Sequence, residues 1–253
     1  MVVQRPGGPE DGDAVSGAAG CPAAPPAPAF GADPEKAPEG LAGDAALLRL
    51  VQWLSPAFPV SGYAYSHGLE WAISAGHIRD GATLQSWLAD VLAHGAGWCD
   101  AVLLCLALRP GADPAGLADT AAALAPSRER LEETLAQGRA FLGTTNALTG
   151  AELPAMPYPV ALGAAARDLG LPAERVAAFY LHAFASNLVQ AAVRFVPLGQ
   201  TEGQAVLAAL HPAILRVAAA AERAGAEDIG GTALRSDMAA MHHETMDVRI
   251  FRT

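Results

Sequence analysis

The chain has 253 residues and a formal net charge of −10, from 26 acidic against 16 basic side chains. Fifteen of the basic residues are arginines, and the single lysine, Lys36, lies in a Pro/Gly-rich N-terminal stretch. This excludes a P-loop nucleotidase, which needs a Walker lysine, and a Schiff-base lysine in the folded part; the acidic balance argues against sequence-independent binding of nucleic acid.

The first 40 residues hold eight prolines and seven glycines, with no helical or strand period. Such a stretch buries too little apolar surface to offset its ordering entropy, so residues 1–42 are expected to be a disordered extension. It lacks the basic start and continuous apolar run of a secretory signal. Residues 43–253 are expected to form one all-α domain of about nine or ten helices, with no period-two alternation to suggest strands. Leu47, Leu48, Val51 and Leu54 recur at helical spacing until Pro56. A helix is predicted from about Ser66 to Ala75, and Asp80 and Thr83 open the next, with Leu84, Trp87, Leu88, Val91 and Leu92 on one face. Residues 98–108 are expected to be fully buried, with Cys99 and Cys105 as free thiols.

Asp113-Pro114 starts another helix, proline being tolerated in the first turn. Residues 127–149 form the longest amphipathic pattern, with Leu131, Leu135, Leu142 and Leu148 expected to face inward. Its opening run Arg-Glu-Arg-Leu-Glu-Glu (128–133) is expected to be a solvated face. Helices follow at about 160–169, 172–194, 200–210 and 212–224, and a last one from Leu234 to about Glu244. Asp100, Arg109 and Arg167 interrupt the apolar stretches, so no segment is expected to reach the roughly 18–20 residues that span a bilayer.

The seven histidines form no HExxH or His-x-x-x-His pair. His242 and His243 are helix neighbours pointing about 100° apart, so a metal site folded into the domain is not expected, although one histidine completed across a subunit or partner boundary stays open. No GxSxG elbow surrounds Ser66-His67, and no enzyme site is expected. Thr201 is expected to cap a helix with Gln204 as its capping-box partner. Arg194, in an apolar neighbourhood, needs a pair or an interface.

Four blocks remain: Ser-Pro-Ala-Phe-Pro-Val-Ser-Gly-Tyr-Ala-Tyr-Ser-His-Gly-Leu-Glu (55–70), Tyr-Pro-Val-Ala-Leu-Gly (158–163), Ala-Ala-Val-Arg-Phe-Val-Pro-Leu-Gly-Gln-Thr-Glu-Gly-Gln (191–204) and His-Glu-Thr…Arg-Ile-Phe-Arg (243–252). Together they resemble the UreF family of urease accessory proteins, with departures at Ser61, His242 and Met246-Asp247. The resemblance implies an all-α, non-enzymatic, cytoplasmic homodimer with no cofactor. Its implied partners are a UreD/UreH-like protein, a UreG-like GTPase and apo-urease, into which nickel is inserted; neither nucleic acid nor membrane is implied. Tyr63, Tyr65, Ser66, His67, Glu70, Arg194, Gln200, Gln204, His243, Glu244, Arg249, Phe251 and Arg252 are the expected partner-binding residues. Arg249 and Arg252 are expected to pack on the hydroxyls and ring faces of Tyr63 and Tyr65. The alternative is a small-ligand binding or regulatory helical domain using the 55–70 loop as a pocket wall.

Overall fold

The computed structural model describes residues 39–253, and the extension expected at the N-terminus, Cys21 included, lies for residues 1–38 outside them. Among the described residues there are ten α-helices and no strand. They are α1 (Glu39–Trp53), α2 (Leu69–Ser74), α3 (Gly81–His94), α4 (Ala96–Leu108), α5 (Pro114–Ala123), α6 (Arg128–Thr149), α7 (Tyr158–Ala166), α8 (Ala173–Val193), α9 (Gln200–Arg223) and α10 (Leu234–His243).

Local chemistry sets several of the boundaries. Asp80 caps α3 by accepting from the Thr83 backbone N–H at 2.8 Å, while the Thr83 hydroxyl sits 3.1 Å from the Asp80 N–H, a reciprocal capping box. Asp113 caps α5, with Pro114 at its first position. The helix after residue 200 departs from expectation twice. Gly199, not Thr201, is its N-cap, with no side-chain capping bond, so Thr201 and Gln204 lie in exposed early turns. It also runs unbroken through Pro212, where two helices were predicted. Both Pro212 and Ala208, whose carbonyl loses its amide partner, lie on the exposed side, so water can satisfy the freed oxygen.

The buried core centres on α4, which packs against α3, α5, α7, α8 and α9. Leu104 is 0% exposed, as are Ala101, Val102 and Ala107; full burial of one such leucine is worth roughly 1.5–3 kcal/mol. Cys105 is buried and Cys99 half-buried, both as free thiols whose pKa is pushed up by burial, to about 12 and about 11. Gly81–Leu108, Ala173–Val193 and Gln200–Arg223 are long and apolar enough to cross a membrane by length and composition, against expectation, because scattered charges do not outweigh the surrounding leucines, valines and alanines. In this fold 61%, 56% and 39% of their most apolar windows are buried within the bundle.

Candidate functional site

The loop between α1 and α2 is anchored from within by its own large side chains. Phe58 is buried against Phe141 of α6, ring centroids 5.7 Å apart, and Tyr65 is buried as well. Ser61 (φ 57°), between these anchors, and His67 (φ 55°), just after the second, adopt the left-handed conformation. That costs roughly 1–3 kcal/mol for each residue bearing a Cβ, so the surroundings must hold them. Gly68 follows at φ 74°, and a Cβ there would collide with the Ala239–Ala240 backbone of α10. Glycine is needed both for the turn and for the close approach.

The segment 244–253 returns to this loop. The Ser66 N–H donates to the Thr253 carbonyl oxygen at 2.7 Å, and the Ser66 hydroxyl donates to the same oxygen. The Arg252 N–H donates to the Ala64 carbonyl at 2.9 Å. The buried Glu70 carboxylate accepts from the N–H groups of Ile250 (2.9 Å) and Phe251 (3.0 Å), and lies 3.2 Å from His243 Nε2. His243 is 0% exposed, and its Nδ1 is 2.8 Å from Glu129. The imidazole thus bridges two carboxylates, one at each ring nitrogen. Glu129 also pairs with the Arg249 guanidinium, and its N–H donates at 3.0 Å to Glu244, a carboxylate at the positive end of the α6 dipole.

One turn further along α6, Glu133 accepts from Arg130, from Gln137 at 3.0 Å and from the Thr253 hydroxyl at 2.9 Å. Burial would raise its pKa, but Arg130 and His67 outweigh burial and hold it at about 2. Burial also opposes the charge on Arg130, and is outweighed by Glu133 and Asp100. His67 is pushed below its ordinary value by burial and then by Arg130, against Glu133. Its Nε2 lies 2.9 Å from both Arg130 and Glu133, and its buried Nδ1 has no partner among the described residues. Opposite it, Asp100 accepts from the Tyr180 hydroxyl at 2.6 Å, and burial pushes its carboxyl above the ordinary value. These groups and Tyr158 line a cavity of about 60 Å³. That is room for about two water molecules, far below the roughly 300–1,000 Å³ of a small-molecule site.

Of the expected site residues, Ser66, His67, Glu70, His243, Glu244 and Arg249 thus meet in one network. Phe251 is buried beside it, its ring centroid 5.4 Å from that of Phe195 and 5.9 Å from the Arg194 guanidinium carbon. Arg194 is therefore exposed and stacked, not buried in need of a counter-charge. Tyr63 and the Arg252 side chain point outward. Gln200 and Gln204 are exposed on α9 and make no side-chain hydrogen bond among the described residues.

The tail does pack on the loop, but not through guanidinium–tyrosine contacts. Arg249 goes to Glu129, because a carboxylate offers a charge-assisted bond that a ring face does not, and Arg252 contributes only its backbone. The run 128–133 was expected to be solvated, and only Arg128 and Glu132 are, at 73% and 69% exposure. Glu129, Arg130 and Glu133 face inward with Phe141, Leu142 and Thr145, whereas Leu148 is 61% exposed. The signal was the position of these charges on the stripe that continues to Phe141, not their number. Among the described residues no group of three or more His, Cys, Asp or Glu side chains is arranged to hold a metal ion.

The UreF family model matches residues 78–211. The chain is 66% identical over 209 residues to a urease accessory protein UreF of Cereibacter sphaeroides strain KD131, covering 83% of this chain and 99% of that protein. It is 54% identical over 210 residues to the UreF of Paracoccus denitrificans, covering 83% of this chain and 97% of the relative. The chain belongs to the UreF family. The UreF relative from Dinoroseobacter shibae, 55% identical over 210 residues, covers 83% of this chain and 99% of its own length. These UreF relatives are named as urease accessory proteins, and that is the role of the family.

Proposed function

We propose that this chain is a non-catalytic, cytoplasmic scaffold that acts as a homodimer in urease maturation. It bridges a UreD/UreH-like protein and a UreG-like GTPase and supports GTP-dependent insertion of nickel into apo-urease. The observation that carries this reading is the joint between residues 55–70 and 244–253. From below, the buried Glu70 carboxylate accepts from two backbone N–H groups of the tail, and Glu133 accepts from the Thr253 hydroxyl. Above it, Tyr63 (62% exposed), Val248 (79%) and Ile250 (71%) are presented to solvent beside Arg252. Aromatic, aliphatic and guanidinium groups held on a rigid backbone are the composition of a protein-docking hot spot. A small-ligand role for the same loop finds little support, since the cavity beneath it measures about 60 Å³.

Co-expression and pull-down test the scaffold reading. The full chain is expected to co-purify with a UreD-like protein and then to capture the GTPase. Deletion of 244–253 is expected to abolish GTPase capture. A chain that binds neither protein, or a truncated chain that still assembles the ternary complex, overturns it.

A further inference from the structure

We propose that His182 on α8 and His211 on α9 form a two-imidazole binding site for a late first-row divalent ion of the Ni²⁺, Cu²⁺ or Zn²⁺ class. The two rings meet across the packed α8–α9 pair, centroids 5.4 Å apart and planes tilted at 44°. Both residues are exposed, and neither ring makes a hydrogen bond among the described residues. Four of the other histidines have different neighbours. His67 and His243 are committed to buried carboxylates, and His77 and His242 lie against Trp71 at 5.4 and 4.6 Å.

The spacing fits one shared ion. A metal–nitrogen distance of about 2.0–2.1 Å places each ring centroid roughly 3.2 Å from the metal. Two rings at square to tetrahedral angles then have centroids about 4.5–5.3 Å apart, so the observed 5.4 Å needs only a small side-chain adjustment. No carboxylate lies within a turn of either residue on its own helix: positions 178–186 and 207–215 hold only apolar residues, Tyr180, Ser186 and the two histidines. A donor set of imidazole plus water suits nickel, copper and zinc and offers nothing to Mg²⁺ or Ca²⁺. Because the ligands come from two helices, a bound ion would clamp α8 to α9. The site lies apart from the loop–tail joint and is read on the isolated chain, independently of any partner.

The test is calorimetric titration of the tag-free full chain with Ni²⁺, with Mg²⁺ as control, on the wild type, His182→Ala, His211→Ala and the double variant. The wild type is expected to bind one Ni²⁺ and no Mg²⁺, each single variant to bind Ni²⁺ at least tenfold more weakly, and the double variant to lose the site. A saturating excess of Ni²⁺ is expected to raise the Tm of the wild type and leave that of the double variant unmoved. Metal-free circular dichroism, unchanged among the variants because both rings are exposed, shows that the folds are equivalent. Absence of Ni²⁺ binding by the wild type, or equal binding by the double variant, overturns the site.

Discussion

Between α4 and the first turns of α6 the molecule changes the way it holds a helix in place. In α4 the buried positions run Ala101, Val102, Leu103, Leu104, Cys105, Leu106 and Ala107, and the attraction is non-directional burial of apolar surface. In α6 the first buried positions are Glu129, Arg130 and Glu133, and each is held by particular atoms of His67, His243, Arg249 and Thr253. An apolar core accepts any side chain of about the right shape. A buried charge network accepts only a complete set of partners, because each member left alone keeps its desolvation penalty. The first arrangement fixes a fold, whereas the second also fixes where a loop and a distant tail must meet.

The largest effect expected from breaking this contrast is at Glu133. Its replacement by alanine strands the buried Arg130 guanidinium, an error worth about 3–5 kcal/mol. Urea denaturation should show this loss, and combining Glu133→Ala with Arg130→Met should recover part of it. The same carboxylate governs acid sensitivity. Its folded pKa of about 2 lies below the ordinary 4.5, so its contribution is complete above 4.5 and is lost as pH falls toward 2. His67 acts in the same direction: its folded pKa lies below 6.5, so the unfolded chain takes the proton first and acidification from 6.5 downward costs stability. Asp100, raised above 3.8, works the other way, since the folded state protonates first. In Glu133→Gln the fall of the denaturation midpoint between pH 4.5 and 2 should flatten; an unchanged slope would mean that other carboxylates drive acid unfolding.

Leu104 gives the complementary case. Leu104→Ala should cost about 2–5 kcal/mol, yet Leu104→Met should cost less than about 1.5 kcal/mol, because the volume is kept. If the near-isosteric Glu133→Gln proved as mild as Leu104→Met, the distinction between the two helices would collapse.

The same distinction explains what could be read from the sequence. Boundaries set by neighbouring residues were legible: the Asp80–Thr83 box of α3 and the Asp113-Pro114 start of α5 are where their spacing puts them. Boundaries decided by exposure were not, as the unbroken passage of α9 through Pro212 shows. At the candidate site, Ser66, His67, Glu70 and His243 stood out through their motifs. Glu129, Arg130 and Glu133 did not, because what buries them is a tail more than a hundred residues later, and a local charge count cannot see that cover. The pairing of Arg249 with Glu129, in place of a tyrosine ring, was hidden for the same reason.

The smallest expected effect on stability is the most telling for function. Tyr63 and Arg252 sit at the surface of the loop–tail joint, and neither side chain takes part in the buried network. Replacing both by alanine should change the unfolding free energy by less than about 0.5 kcal/mol. If the buried charges place the joint and the exposed rim is what a partner recognises, the double variant should still weaken capture of the partner proteins at least tenfold, or about 1.4 kcal/mol. Equilibrium pull-down beside urea denaturation separates the two. Capture at wild-type strength by the double variant, together with failure by Glu133→Ala, would place recognition elsewhere on the chain and leave the network a purely structural part.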